Sequence, residues 1–434
     1  MAGPRKMLLA VAGAVVVAAC SLSIPFVDSL TGTGPNDFAR DGQPDSLTTA
    51  SEKKSGAVYY SRAIGWSDGE NVTSELKAFL SLKTKSGDVL ILEDTVEIDA
   101  GARITLPAGV TLTANHGAGI DIVDTAGVNT PALLLSDHSA LRDLLITASD
   151  APDTGFEGQK PSVEIDYHQA RAVGIFEADQ VEVTRVSFSG NLAMFIDVRS
   201  SSNLVVDESH FLGGFYQVRL LGQTKNVQIK RSHFKDALGD GIKTERSDTF
   251  GPQRVLIAEN LFEENNRDGI DTAGGLKDSV IRNNVFFANS QALDIKVVLE
   301  RETDMSAEIR NSGILIEGGH IIDSRNSIVI TYLDRLGVST VENAVSLMPH
   351  DISVRGVTFE NSSRFDGRMR AFLIKDGHSI RWQGLTFLGD IQEYSILNEA
   401  GVEGWSSYDV GGEVSTIGAP RKPMELLSLL NRYR

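Results

Sequence analysis

The 434-residue chain has very little cysteine, no surplus of positive charge and no long apolar run, and each shortage excludes something. A single cysteine, Cys20, rules out an intrachain disulfide and any thiolate metal cluster. With 41 Lys and Arg against 58 Asp and Glu, the formal charge is −17, which argues against general binding to nucleic acid or to anionic lipid surfaces. The longest apolar stretch, Met7 to Ala19, is shorter than the roughly 20 residues a membrane-spanning helix needs. His320, His350 and His378 show no metal-ligand spacing and are expected to be structural or solvated. The fixed leucine framework of a leucine-rich repeat is also missing.

What the chain has is a repeat. Val181-Glu182-Val183, Leu204-Val205-Val206, Val227-Gln228-Ile229, Val255-Leu256-Ile257 and Ser279-Val280-Ile281 each run on to a phenylalanine: Phe188, Phe211, Phe234, Phe262 and Phe286. The phenylalanines are spaced by 23, 23, 28 and 24 residues. Short runs of Val, Ile and Phe at alternate positions specify strands, and a period of this length specifies stacked coils. The predicted fold is all-β: a right-handed parallel β-helix in which the core exists only as a stack. The phrase returns at Ile352 to Phe359 and at Ile380 to Phe387. Ser209, Ser232, Asn260 and Asn284, each two residues before a phenylalanine, are expected to form a hydrogen-bonded turn ladder along the axis.

Arg5 and Lys6 followed by Met7–Ala19 read as an export signal. Val17-Ala18-Ala19-Cys20 resembles the lipobox of bacterial lipoproteins, which implies lipidation at Cys20, a membrane anchor and a place in the bacterial cell envelope, in the periplasm or as an outer-membrane lipoprotein. The division expected is a signal over 1–20, a flexible tether over 21–57, the β-helix over 58–420 and a C-terminal capping helix over 421–434. The spacing of Leu76, Phe79, Leu80 and Leu82 predicts a helix from Thr73 that plugs the N-terminal mouth, with Thr73 or Ser74 as N-cap. Polar insertions at 150–169, 299–310 and 334–350 are expected to be loops standing off one face.

A second strand follows each phenylalanine, its middle residue eight or nine positions on: Ile196-Asp197-Val198, Val218-Arg219-Leu220, Ile242-Lys243-Thr244, Ile270-Asp271-Thr272 and Leu293-Asp294-Ile295. Apolar flanks point inward, so the middle residues should project outward as one column, about 4.8 Å apart. Arg199, Glu245 and Lys296 lie two positions along, and Asp240 and Asp268 stand just before their strands. Asp268, Asp271 and Asp294, with Asp240, are candidate ligands of a hard cation such as Ca²⁺. Lys243 and Lys296 are candidate bases with lowered pKa. Arg219 is expected to assist catalysis by holding a substrate carboxylate, and Arg199, Asp197 and Glu245 to line the substrate. The plain alternative is a decorated strand face of weak ion pairs. Trp66, Phe195 and Tyr216 are candidate stacking platforms.

The coils from about Thr105 to Asp390 resemble the pectin-lyase-like superfamily, which contains lyases, epimerases, hydrolases and non-catalytic adhesins. Asp268-Gly269-Ile270-Asp271 is similar to the calcium-binding segment of β-helical polysaccharide lyases, with Arg267 where a further Asp is often found. The lysine of that family aligns better with Asp294 than with Lys296. Asn266 to Asp271 is also similar to the Asn-Thr-Asp-Gly-x-Asp segment of polygalacturonases, though Ser290-Gln291 stand where the paired Asp would fall. The resemblance implies a monomer acting on an acidic polysaccharide as lyase or epimerase. A hydrolase and a tethered, non-catalytic glycan-binding protein remain as alternatives.

Overall fold

The computed structural model describes residues 56–151, 170–245, 250–299, 311–335, 345–362, 368–396 and 408–434. The signal, Cys20 and nearly all of the tether lie outside these, as does most of each polar insertion. The described residues form a right-handed parallel β-helix. On one wall, strands succeed one another in strict chain order, from Ile104–Leu106 through Pro131–Leu135, Arg171–Phe176, Met194–Arg199, Tyr216–Leu221, Asp240–Glu245, Asp268–Asp271, Gln291–Leu299, Asn326–Asp334 and Met369–Ile374 to Ile391–Ile396. Every pairing between them is parallel. Each coil adds one strand, as the repeat requires.

The phenylalanines pair in register, Phe188 with Phe211, Phe234, Phe262 and Phe286 in turn. Their rings stack face to face at 4.8 to 5.0 Å, within 9° of parallel. They fill the solenoid interior and are essentially inaccessible to water. The polar ladder beside them runs as the spacing predicts. The Ser209 amide donates to Ser232 Oγ (3.1 Å), Ser232 to Asn260 Oδ1 (2.9 Å) and Asn260 to Asn284 Oδ1 (2.9 Å). It lets Glu208, Arg231, Glu259 and Asn283 turn the chain with positive φ, a conformation non-glycine residues seldom adopt. A second ladder, Ala237 to Asn265 to Asn289, turns the next corner.

The N-terminal helix spans Thr73–Lys83 and buries Leu76 and Leu80 in the main core. Its start differs from the expectation. Thr73 is the first helical residue, its amide bonded to Asn71 Oδ1, and its hydroxyl accepts from the Asp99 amide instead of capping. Leu82 is exposed. Trp66 and Phe195 are core residues, not platforms: Trp66 packs edge-on to Phe79, and Phe195 is wholly enclosed beside Phe188.

The C-terminal helix, Pro423–Leu430, does not cap the end of the solenoid. It lies on its flank, where Leu429 and Leu430 bury Leu261, Val285, Phe287 and Ile322. These four point outward from coils whose phenylalanines or isoleucine point inward, so the helix covers an apolar stripe that would otherwise face water. Two buried glutamates hold the segment, Glu360 pairing with Arg421 and Glu263 with Arg434.

Candidate functional site

The five expected triplets fall into register. Asp197, Arg219, Lys243, Asp271 and Asp294 are successive Cα partners, bounded by Gly174 below and Val329 above. Their neighbours Ile196, Val198, Val218, Leu220, Ile242, Ile270, Leu293 and Ile295 are buried in the core, which turns the charged residues to the other side of the sheet. Sequence also explains why glycine follows Asp240 and Asp268. A Cβ on Gly269 would lie 2.6 Å from Phe286, and one on Gly241 2.9 Å from Phe262. The phenylalanine stack therefore sets how closely the Asp-bearing strands approach the core.

The wall is shared, but it is not the open groove that alternation suggested. Asp197 and Asp271 are fully buried, and Arg219, Lys243 and Asp294 are less than a tenth exposed. The side chains lie along the wall instead of reaching into solvent, Asp197, Arg219, Lys243 and Asp271 pairing across coils and Asp294 with Lys296 of its own strand. Asp197 accepts from Arg219 (2.9 Å) and Arg199 (2.9 Å) and is ion-paired with Arg171 (3.2 Å), and Arg219 also meets Glu245 (2.8 Å). Lys243 is hydrogen-bonded to Asp271 and lies 3.6 Å from Asp240. Lys296 reaches Asp271 (2.8 Å) and Asp294 (2.6 Å). Asp197 is thus a buried hub and not a residue that lines substrate. Arg199 and Glu245, about one-third exposed, form the accessible rim.

The carboxylates that converge are Asp240, Asp268 and Asp271, with one oxygen of each within 4.8 Å of the others. Asp294, expected in this set, stands apart on Lys296, and one of its buried oxygens has no hydrogen-bond partner among the described residues. The same holds for Asp240 Oδ2. Asp240 Oδ1 accepts from the Asp268 amide at 3.2 Å, and Gln291 donates to Asp268 Oδ1 at 2.7 Å. Arg267, which replaces the further Asp of the lyase segment, points its guanidinium at Asp240 (3.8 Å). A set of hard carboxylate oxygens, one of them buried and without a hydrogen bond among the described residues, fits a cation of the calcium type. In the structure Lys243 supplies part of that positive charge.

Protonation follows from these surroundings. Burial pushes Asp268 well above the usual carboxylate range, and the charges of Asp240, Asp294 and Asp271 push it further. Asp240 and Asp294 are raised as well, chiefly by burial. Burial acts on Asp271 in the same sense, but Lys243 and Lys296 outweigh it and hold that carboxylate ionised. The lysines depart from the expected lowered pKa. Burial alone would lower them, yet Asp271 with Asp240 or Asp294 raises both, so they are firm cations. Lys243 lies over the ring of Tyr216 at 5.6 Å, and burial pushes the Tyr216 hydroxyl up to about 12.

Sequence reasoning missed Arg171, whose strand precedes the repeated phrase and offers no phenylalanine landmark. The neighbouring histidines are structural: His350 and His378 stack at 5.0 Å, and His320 meets Arg421 at 3.3 Å. A cavity of about 1040 Å³ opens under the C-terminal helix, lined in part by Arg231, Arg421, Arg432 and Tyr433. It contains none of the column residues.

Residues 171–332 match the family described as right handed beta helix region, a span that contains the whole charged column. No curated protein matches the chain. Among solved structures, the chain is similar to PfbA, a surface adhesin of Streptococcus pneumoniae, with 14% identity, a TM-score of 0.59, and coverage of 84% of this chain and 89% of that one. It is similar to the polygalacturonase of Erwinia carotovora at 13% identity and a TM-score of 0.56, over 86% of this chain and all of the other. The family 28 exopolygalacturonase of Yersinia enterocolitica gives 12% and 0.53, over 85% and 79%. At these identities the likeness is one of fold, and it joins an adhesin with two enzymes.

Proposed function

We propose that this chain is an exported protein that cleaves a uronate-containing polysaccharide by β-elimination at the Asp240–Asp268–Asp271 cluster. The observation that carries the proposal is the convergence of three buried carboxylates on adjacent coils beside two lysines, with Asp240 Oδ2 left without a hydrogen bond among the described residues and only Lys243 at 3.6 Å. Asp240, Asp268 and Asp271 would hold a divalent cation of the calcium type. Bound there, such an ion would neutralise the substrate carboxylate, acidify the C5 proton and take over the negative charge that now keeps the lysines protonated. Lys296, the less enclosed of the two, is the better placed to accept that proton as the C4–O4 glycosidic bond breaks and the departing oxygen takes a proton from water, while Lys243 stays seated on Tyr216. The overall charge of −17 does not exclude an acidic polymer. Dissolved salt screens it beyond about 10 Å, and the wall around the column sets Arg171, Arg199, Arg219, Lys243, Arg267 and Lys296 against Asp197, Asp240, Glu245, Asp268, Asp271 and Asp294, six cations to six carboxylates.

One observation favours hydrolysis instead. Burial and the neighbouring carboxylates push Asp268 up while Lys243 and Lys296 hold Asp271 down, opposite shifts of the kind that separate an acid from a base. Products separate the two. Incubation with polygalacturonate, alginate and glycosaminoglycans should give ultraviolet-absorbing unsaturated ends, lost with chelator and in Asp271→Asn. New reducing ends without that absorbance would assign hydrolysis, and no product on any polymer would leave only glycan binding. Export and anchoring through Cys20 form part of the proposal, and the mass of the mature N-terminus tests them: an unmodified Cys20 excludes the lipid anchor.

A further inference from the structure

We propose that Arg171, Arg199 and Arg219, gathered on Asp197, form a second anion site that holds a carboxylate of an acidic sugar away from the reacting residue. The inference rests on the acidic-polysaccharide reading of the same wall and names a subsite for it. Asp197 is fully buried and both its oxygens are occupied, Oδ1 by Arg219 and Oδ2 by Arg199 and Arg171. It therefore positions guanidinium groups and has nothing left to offer a ligand. Glu245 offsets part of the charge on Arg219 at 2.8 Å, which leaves the three arginines with two carboxylates between them.

The surplus is not idle at the surface. Arg171 Nε is buried and has no hydrogen-bond partner among the described residues. Burial lowers the pKa of Arg171, and the neighbouring Arg199 and Arg219 oppose the attraction of Asp197. An unpaired buried donor in a cationic cluster is costly unless an anion completes it. Arg199 holds its guanidinium 4.8 Å over the ring of Phe176, so its fork is fixed in orientation while its side chain keeps 36% exposure. Nε and Nη2 of Arg199 already donate to Asp197 Oδ2, which leaves Nη1 and the outer N–H of Nη2 as a fixed edge suited to bidentate binding of a carboxylate.

Spacing ties this site to the carboxylate cluster. Asp197 and Asp271 are three register steps apart, about 14 Å at the coil rise of a parallel sheet. One step is close to the advance of one pyranose ring in an extended chain. A uronate oligomer lying along the axis would present successive carboxylates at the pitch of the coils. One would meet the arginines while another reached the Asp240–Asp268–Asp271 cluster.

Calorimetry on the full chain in chelator, with tri- and tetragalacturonate, their carboxyl-reduced counterparts and a sulfated oligosaccharide, tests the site without requiring turnover. The acidic oligomers should bind and the reduced ones should not. Arg171→Gln and Arg199→Gln should each weaken binding about tenfold and flatten its salt dependence. Arg199→Lys keeps the charge and loses the fork, so it should recover only part of the affinity, and thermal melts identify any variant that fails to fold. Equal binding of acidic and reduced oligomers, wild-type affinity in well-folded arginine variants, or no binding of an acidic oligomer would overturn the inference. Tighter binding of the sulfated sugar would overturn the choice of a carboxylate. Arginine-dependent binding without any unsaturated product would sustain this site and remove the elimination chemistry. Unsaturated product with indifferent arginines would do the reverse.

Discussion

Two polar columns climb the same coils and are built on opposite terms. The ladder Ser209–Ser232–Asn260–Asn284 is neutral, buried, and bonded amide to side chain at every step. The column Asp197–Arg219–Lys243–Asp271–Asp294 is charged and almost as buried, yet Arg171 Nε, Asp240 Oδ2 and Asp294 Oδ1 beside or within it make no hydrogen bond among the described residues. A fold that only had to stack would use the first kind throughout, because buried ion pairs gain little over well-packed neutral groups. The second kind, confined to the middle coils, is the arrangement expected where a ligand completes the set.

The contrast can be tested by substitution, and the largest effect should come from the ladder side. Phe234→Ala removes one ring from the middle of a continuous stack and should cost about 3–5 kcal/mol in chemical denaturation. Binding at the charged wall should fall only in proportion to folding. Asp271→Asn should come next, at about 2–4 kcal/mol, because it strips both lysines of their shared partner. Cation binding should vanish with it, whereas a variant as stable as wild type would show that the lysines have other anchors. Asn260→Ala should cost about 2 kcal/mol by orphaning the Ser232 amide and the Ile229 carbonyl. If that variant loses cation binding while still folded, the two columns are coupled and the division drawn here fails.

Charge on the ladder side behaves differently from charge in the column. Glu263 is buried by the C-terminal helix, and burial would raise its pKa, but His233, Arg434 and Lys235 together hold it down to about 2. A carboxylate lowered on folding stabilises fully above its unfolded pKa, near 4.5, and loses that contribution as pH falls toward 2. Allowing for solvent around its partners, the loss should be about 1–2 kcal/mol. Glu263→Gln should therefore lower stability at neutral pH and reduce its dependence on pH between those limits. An unchanged acid profile would mean that the Arg434 latch contributes nothing.

Much of this was legible in the sequence. The phenylalanine spacing specified the coils, and alternation specified the register of all five triplets, because strand geometry leaves one choice once the inward residues are known. Closure of the wall was not legible. It depends on how far Lys243, Lys296, Arg171 and Arg219 lean toward partners 22 to 28 residues away, and alternation gives only the side from which each chain leaves the strand. The lysine protonation followed from that leaning and was misjudged for the same reason. Asp240 was visible as the Asp-Gly pair one coil before Asp268-Gly269, the better guide than the later Asp294. The site of the C-terminal helix had one available signal, the outward apolar residues Leu261, Val285, Phe287 and Ile322.

The smallest change in stability should be the most informative. Asp240 has one oxygen on the Asp268 amide and one with no hydrogen bond among the described residues, and burial pushes it toward the protonated form. A neutral side chain of the same shape replaces a carboxylate that the fold already disfavours as an ion. Asp240→Asn should thus change stability by roughly 0–1 kcal/mol, of either sign, since the weak attractions to Lys243 and Arg267 roughly offset the relief of burial. Cation affinity, measured by calorimetry with Ca²⁺, should nonetheless fall by at least about tenfold through loss of one charged ligand of three. Stability and binding would then separate at one atom. A large destabilisation with unchanged cation affinity would show that Asp240 belongs to the scaffold, and that the column is a second, costlier version of the ladder.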